Sequence, residues 1–240
     1  MPIAEDGWLS ERVGCPVFTL DADASAAELA EHGRSAGRAM YQAKLPTTSV
    51  ERVRELCRAG MYPVDVAVTL EADPAAIAGP SSDDVRVGQA LPDQGEALRR
   101  VAETSFRYSR FHLDPGVAMV AADRIKRDWI DSYLRGARGD ELLVAHVDGR
   151  VAGFLAVLVD RGGDPPARVI DLVAVSEEAR GRGAARALSA RVAADAQSGS
   201  EIVRVGTQAA NVNATRMYER LGFRVARTSY TLHMHLGGAA

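Results

Sequence analysis

With 240 residues, 47% of them apolar and 25% charged, the chain is long enough for one large domain plus a small one and has an ordinary globular composition. A net charge of -3 provides no global basic field, which argues against nucleic acid as a partner, and no apolar run approaches the length of a membrane-spanning helix. The opening residues "MPIAEDGWLSER" lack the pattern of a secretory signal, so a cytoplasmic location with no membrane partner is expected; Cys15 and Cys57, far apart and outside any CxxC pattern, read as ordinary thiols.

Residues 1–75 alternate apolar runs with helix-like segments: "CPVFTL", "SAAELAEHGRSAGRAM", "YQAKL", "SVERVRELCRAG" and "PVDVAVTLE". They predict a small β-α-β-α-β domain, its second helix capped by Thr48 or Ser49, closed at Gly60, and presenting Val50, Val53, Leu56 and Cys57 on one face. The stretch "ADPAAIAGPSSDD" has no periodicity, which predicts a linker at 76–84 and a second domain over 85–240. There "VRVGQAL" reads as a strand, "QGEALRRVAETSF" and "ADRIKRDWIDSYLRGA" as helices with an irregular "RYSRFHLDPGV" between them, and "ELLVAHVDGRVAGFLAVLVD" as a hairpin turning at Asp148-Gly149. "RVIDLVAV" is apolar enough for a strand buried on both faces; a helix at 184–197, strand "EIVRVGTQ", a helix at 213–221 and two strands, "FRVART" and "YTLHMHL", complete the chain. The order predicts an α/β (α+β) fold, a mixed and mostly antiparallel sheet flanked by helices.

Behind "RVIDLVAV" comes "EEARGRGAARALSARVA". A strand ending at Val175, glycines at 181 and 183 and a helix starting there aim free backbone N–H groups and a positive helix end at one spot, which is an anion site; Arg180 and Arg182 can add charge-assisted contacts. A P-loop would need Lys and Ser or Thr after its last glycine and has neither here, and a dinucleotide fingerprint would need a third glycine where Arg186 stands. The alternative is a tight turn with no ligand.

A second motif, "NVNATRMYERLGF" at 211–223, forms a helix that exits through Gly222 and Phe223. Arg180-x-x-Gly183-x-Ala185 behind a strand, followed downstream by Asn211-x-x-Ala214-x-x-x-Tyr218-Glu219-x-x-Gly222-Phe223, resembles the GNAT superfamily of acyl-CoA-dependent N-acetyltransferases over residues 84–237. "FRYSRFHLDP", "DWIDSYLRGA" and the upstream unit with "YQAKL" look like the TDP-fucosamine (TDP-4-amino-4,6-dideoxygalactose) N-acetyltransferases over nearly the whole chain.

The resemblance implies a GNAT fold and acetyl-CoA as cosubstrate, with Arg180, Gly181, Arg182, Gly183, Ala184 and Ala185 holding its pyrophosphate mainly through backbone N–H groups. It implies that Val173, Ala174 and Val175 pair with the pantetheine arm, that a bulge-like splay beside "EIVRVGTQ" opens the cleft, and that the Val173 N–H faces the thioester oxygen. Asn211 would touch coenzyme A, unless it or Asn213 is simply a helix cap, and Tyr218 would be the acid for the departing thiolate, unless it is a packed core tyrosine.

Asp171, two residues before Val173, is a candidate general base, directly or through water, or else a structural strand carboxylate. His112 and Arg110 are candidate acceptor contacts, with Arg107 beside them, against the reading of a loop histidine and solvated arginines. His233 and His235 share one strand face without a third ligand nearby in sequence, so no metal is expected. The implied acceptor is the primary amine of a TDP-linked amino sugar, acetylated by direct attack in a ternary complex. Other amines (aminoglycoside, amino acid, peptide terminus) and a non-catalytic acyl-CoA-binding module are the alternatives, and a homodimer stays open.

Overall fold

Among the described residues ten strands form a single sheet in the order β1-β2-β3-β10-β4-β9-β8-β7-β6-β5. The computed structural model describes residues 2–79, 84–199 and 201–237. The elements in chain order are β1 (Ile3–Glu5), α1 (Gly7–Val13), β2 (Val17–Leu20), α2 (Ala26–Ala36), β3 (Ala39–Pro46), α3 (Val50–Arg58) and β4 (Tyr62–Ala72). Then follow β5 (Val85–Gln89), α4 (Gly95–Ser105), the short α5 (Arg110–Leu113), α6 (Met119–Leu134), β6 (Glu141–Val147), β7 (Arg150–Asp160), β8 (Ala167–Val175), α7 (Ala184–Ser198), β9 (Ile202–Gln208), α8 (Val212–Arg220) and β10 (Arg224–Leu236). Among the described residues only β2–β3 and β8–β9 pair parallel. The chain therefore has the mixed, mostly antiparallel α/β sheet that its sequence predicts.

Local chemistry accounts for most boundaries. Ser25 and Glu28 satisfy each other's backbone N–H groups in a capping box that starts α2. Asp148 and Gly149 both take positive φ, 51° and 73°, and turn β6 into β7. In α3 the residue at the cap position is Ser49, though its hydroxyl makes no capping bond; Leu56 is buried, with Val53 and Cys57 against the core, whereas Val50 is exposed at the first turn.

Three features depart from the sequence reading. The "PIAEDGWLSERV" stretch forms β1 and α1, too short to carry a period. "FRVART" and "YTLHMHL" are one strand, β10, because Thr228 and Ser229 pair with Val68 and Ala67 of β4 and the chain never leaves the ladder; a register shift between Val225 and Arg227 absorbs the irregularity. The segment 76–84 has residues 80–83 outside the described residues. Its described start is packed: Ile77 is buried, the Ala78 N–H donates to Leu221 O, and Arg186 Nε donates to Gly79 O at 2.5 Å. The sheet is continuous across this segment, since β3 and β4 flank β10.

Helices α4 and α6 cover one face of the central strands around Leu98, Ile130, Phe154 and Leu172, and α7 covers the other around Leu155, Leu188, Val205 and Phe223. The strand β8 lies between these two cores and switches its alternation at Asp171. The ladder to β7 runs Ala156↔Leu172 and then Val157↔Ile170, so Asp171 is an extra, bulged residue. Ile170 and Val173 consequently pack on the α7 side, while Leu172 and Ala174 pack on the α6 side.

Candidate active site

The bulge has a consequence for β9. Parallel pairing of β8 with β9 runs from Ala167↔Ile202 to Ile170↔Val205 and ends there, one residue before the bulge. Beyond it β9 stays with β4 through Gln208, so the two strands diverge into a V. A cleft of about 710 Å³ fills the gap, lined by Asp171–Val175, the 179–186 turn, Val205–Gln208, Asn211, Asn213, Tyr218, residues 105–109 and Lys126. The splay expected from the sequence is thus present, and its cause is a bulge on the β7 side of β8.

Backbone groups dominate the cleft. The Ser176 N–H donates to Ala152 O on β7 at 2.8 Å, and strand alternation then turns the N–H groups of Val173 and Val175 to the opposite edge, where β9 has left. At the mouth, Gly181 and Gly183 take φ of 76° and 87°, which glycine adopts without strain. The N–H groups of Gly181, Gly183, Ala184, Ala185 and Arg186 find no acceptor among the described residues, and the first intrahelical bond of α7 is Ala187 N–H to Gly183 O. Five free donors at the positive end of a 15-residue helix make an anion cradle. Arg182 is held at the surface by Asp148, while Arg180 makes no ion pair among the described residues.

Asn211 caps α8: its Oδ1 accepts from Ala214 N–H at 3.2 Å, so Asn211 rather than Asn213 is the cap, and it lines the cleft as well. Tyr218 is 3% exposed, packs edge-on to Phe223 at 5.5 Å, and makes no hydrogen bond among the described residues. Burial pushes its phenol pKa well above the ordinary range, so it stays protonated and able to donate.

Asp171 is placed otherwise than a base requires. Its Oδ2 accepts from Trp129 Nε1, Tyr133 OH and Arg138 Nε, each at 2.8 Å, and its Oδ1 from Arg138 Nη2 at 3.0 Å. Burial would raise its pKa, but these donors outweigh burial and hold the carboxylate below the usual range. A carboxylate so stabilised is a poor proton acceptor, and the structural reading of Asp171 is the one its surroundings favour.

His112 has a fully buried side chain between Ser109 Oγ at 2.6 Å and Asp123 Oδ1 at 3.0 Å, which ties α5 to α6 and leaves neither ring nitrogen for a ligand. Arg110 lies outside the cleft, on a second cavity of about 520 Å³ with Asp6, Trp8, Arg12, Trp129, Arg135 and Arg138. It has no ion-pair partner among the described residues, and its Nε is buried without an acceptor. His233 and His235 do gain a third neighbour: Asp114 Oδ2 accepts from His233 Nδ1 at 2.6 Å and His235 Nε2 at 2.9 Å, while Oδ1 accepts from Tyr62 OH and Gly116 N–H. A hydrogen-bonded carboxylate accounts for these contacts as they stand. Sequence reading missed Asp114, Trp129, Tyr133, Arg138 and Lys126; Lys126 had a visible signal, a charge inside the apolar stripe Ala122, Ile125, Trp129, Ile130, Tyr133 of α6.

Residues 99–223, more than half of the chain, match the family model described as Acetyltransferase (GNAT) family. The chain belongs to the GNAT acetyltransferase family. The GNAT family uses acetyl-CoA as cosubstrate, and the free N–H groups of the turn and of β8 are suited to a phosphate and an extended amide-bearing arm. The chain is 32% identical over 155 residues to the spore coat polysaccharide biosynthesis protein SpsD of Bacillus subtilis (strain 168), a match over 64% of this chain and 52% of SpsD, so it spans about half the length of that relative. Among solved structures it is similar to a conserved protein from Staphylococcus epidermidis ATCC 12228 (TM-score 0.66, 15% identity, 95% of this chain and 88% of that one). It is also similar to a GCN5-related N-acetyltransferase from Kribbella flavida (TM-score 0.62, 16% identity, 97% and 86%). Among the described residues no helix is long and apolar enough to cross a membrane.

Proposed function

We propose that this chain acetylates the primary amine of a small acceptor, a TDP-linked amino sugar, using acetyl-CoA by direct attack in a ternary complex. The observation that carries the reading is the V between β8 and β9 with free N–H groups along one arm and a five-donor anion cradle at its mouth. Gly181, Gly183, Ala184 and Ala185 would hold the pyrophosphate through their N–H groups, with Arg180 and Arg182 at the rim; Val173, Ala174 and Val175 would line the pantetheine arm. The Val173 N–H would donate to the oxygen that gains charge as the amine attacks, a kind of contact worth about 3 to 4 kcal/mol in other enzymes. Tyr218, protonated and without a competing acceptor, would donate to the leaving sulfur. Asn211 would border the coenzyme while capping α8.

The acceptor reading has two supports. SpsD is a polysaccharide biosynthesis protein, and the cavity beside the cleft brings Arg110, Arg12, Arg135 and Arg138 together with Trp8 and Trp129, a combination suited to a diphosphate and a flat base. Trp129 and Arg138 of that cavity bind Asp171 of the cleft, so the two spaces share a wall. The test is thiol release from acetyl-CoA in the presence of TDP-linked 4-amino-4,6-dideoxyhexoses, glucosamine, aminoglycosides and amino acids in turn. Preference for the TDP-linked amine supports the reading; equal or better turnover of a free amine replaces the acceptor while leaving the acetyl transfer intact.

A further inference from the structure

The attacking nitrogen must shed protons, and the carboxylate nearest to Val173 in sequence is saturated by three donor side chains. The cleft nevertheless contains an amine without a partner among the described residues, which, unlike the guanidinium of Arg180 at the mouth, can give up its proton near neutrality. Lys126, on the inner stripe of α6, is 7% exposed and lines the same cleft as Val173 and Tyr218. It makes no ion pair and no hydrogen bond among the described residues. Its Nζ instead lies 4.7 Å from the Trp129 ring centroid and 5.0 Å from that of Phe106.

We propose that Lys126 is the general base that deprotonates the incoming amine. The proposal rests on the acetyl-transfer reading above. A lysine buried against two aromatic rings with no carboxylate partner is destabilised in its charged form, while the rings offer modest cation–π stabilisation to the ammonium formed during turnover. Burial, reinforced by Arg110 and Arg138 and opposed by Asp171, brings the Lys126 ammonium down to about 7. The carboxylate and the imidazole nearby are spoken for: Asp171 by Arg138, Trp129 and Tyr133, and His112 of α5 by Ser109 and Asp123. Arg107 and Arg110 add positive charge to this neighbourhood.

The step balances without a further reactant. An acceptor ammonium loses two protons on becoming a secondary amide. The first passes to the neutral Nζ of Lys126, freeing the lone pair that forms the C–N bond to the thioester carbon. As the C–S bond breaks, Tyr218 protonates the sulfur and is reprotonated by the second proton from nitrogen. Lys126 then returns its proton to solvent.

Competitive labelling with acetic anhydride across pH, read by peptide mass spectrometry, tests Lys126 in the unmodified chain. The expected result is a labelling midpoint near pH 7 for Lys126 and protection by saturating acetyl-CoA; a midpoint near that of an ordinary lysine, about 10.4, overturns the proposal, as does unchanged labelling when calorimetry shows acetyl-CoA bound. Kinetics with a TDP-linked 4-amino-4,6-dideoxyhexose and with glucosamine then compare Lys126→Met and Lys126→Arg. Variants whose thermal melting and acetyl-CoA dissociation constant match the parent should lose about 10²-fold or more in kcat/KM for the amine near neutrality, and should recover as pH approaches the amine's own pKa. Arginine keeps the cation but cannot act as the base, so a Lys126→Arg variant with parental rate and pH profile overturns the role. Failure of the parent to bind acetyl-CoA or to release thiol with any amine counts instead against the acetyl-transfer reading, and the labelling midpoint still decides whether Lys126 is a poised base.

Discussion

Arg138 grips Asp171 through both oxygens, Nε to Oδ2 at 2.8 Å and Nη2 to Oδ1 at 3.0 Å, and so fastens the turn after α6 to the bulge that opens the β8–β9 gap. Asp171→Asn should therefore act on stability: weakening the hydrogen bonds of a part-buried carboxylate to Arg138, Trp129 and Tyr133 costs about 1 to 3 kcal/mol, visible as a lower denaturant midpoint. The acid limb of kcat/KM should remain and shift to lower pH, because the Asp171 charge raises the Lys126 pKa and its loss leaves burial less opposed. A stable variant whose acid limb disappears would return Asp171 to the role of base.

Tyr218→Phe removes only the hydroxyl from a ring that packs on Phe223. If that hydroxyl protonates the leaving sulfur, kcat should fall about 10²-fold or more while calorimetry finds acetyl-CoA affinity nearly unchanged. Unaltered kcat with a lower melting temperature would make Tyr218 a packing residue.

Gly183→Ala puts a side chain at φ 87°, where an L-residue pays about 1 to 2 kcal/mol and shifts the first N–H groups of α7. Affinity for acetyl-CoA should weaken about tenfold or more, and the loss should be much smaller for S-acetyl-pantetheine, which lacks the pyrophosphate. Equal losses for both compounds would remove the cradle from the account.

How far the sequence carried this reading depended on where each interaction lies along the chain. The glycine turn and the Asp148-Gly149 hairpin were legible because each rests on backbone conformations that neighbouring residues set locally, and a cap for α8 at Asn211 or Asn213 because donor and acceptor lie a few residues apart. A bulge-like splay was expected, but not the place of the bulge, since an extra residue at Asp171 is a mismatch between two ladders and leaves no mark on β8 alone. Pairing of β10 with both β3 and β4 joins residues more than 150 positions apart, which no period encodes, so the expected boundary at 76–84 crosses a sheet that is continuous. His112 looked available because its partners, Ser109 and Asp123, become neighbours only when α5 folds onto α6. Asp114 stayed invisible beside His233 and His235 for the same reason.

That Asp114 cluster carries a pH dependence. Burial alone would raise the Asp114 carboxyl, but donors from His233, His235, Tyr62 and the Gly116 N–H hold it far below the usual range. A depressed carboxylate contributes stability in full above its unfolded pKa of about 3.9 and loses it as pH falls through the folded value, so the parent chain should destabilise steeply with acid below about pH 4. Asp114→Asn should lower stability near neutrality and flatten that acid limb in denaturant titrations taken at stepped pH. An acid limb as steep as the parent's would show that other groups carry it.

The central claim is that the cleft brings acetyl-CoA and an amine together for direct transfer, and the most direct measurement follows free thiol and acetylated amine in one rapid-mixing experiment with enzyme in excess over acetyl-CoA. The account predicts no thiol until the TDP-linked 4-amino sugar is present, then one acetylated amine for each thiol released. A burst of thiol without amine, or acetyl-CoA that stays intact with every amine tried, would contradict it.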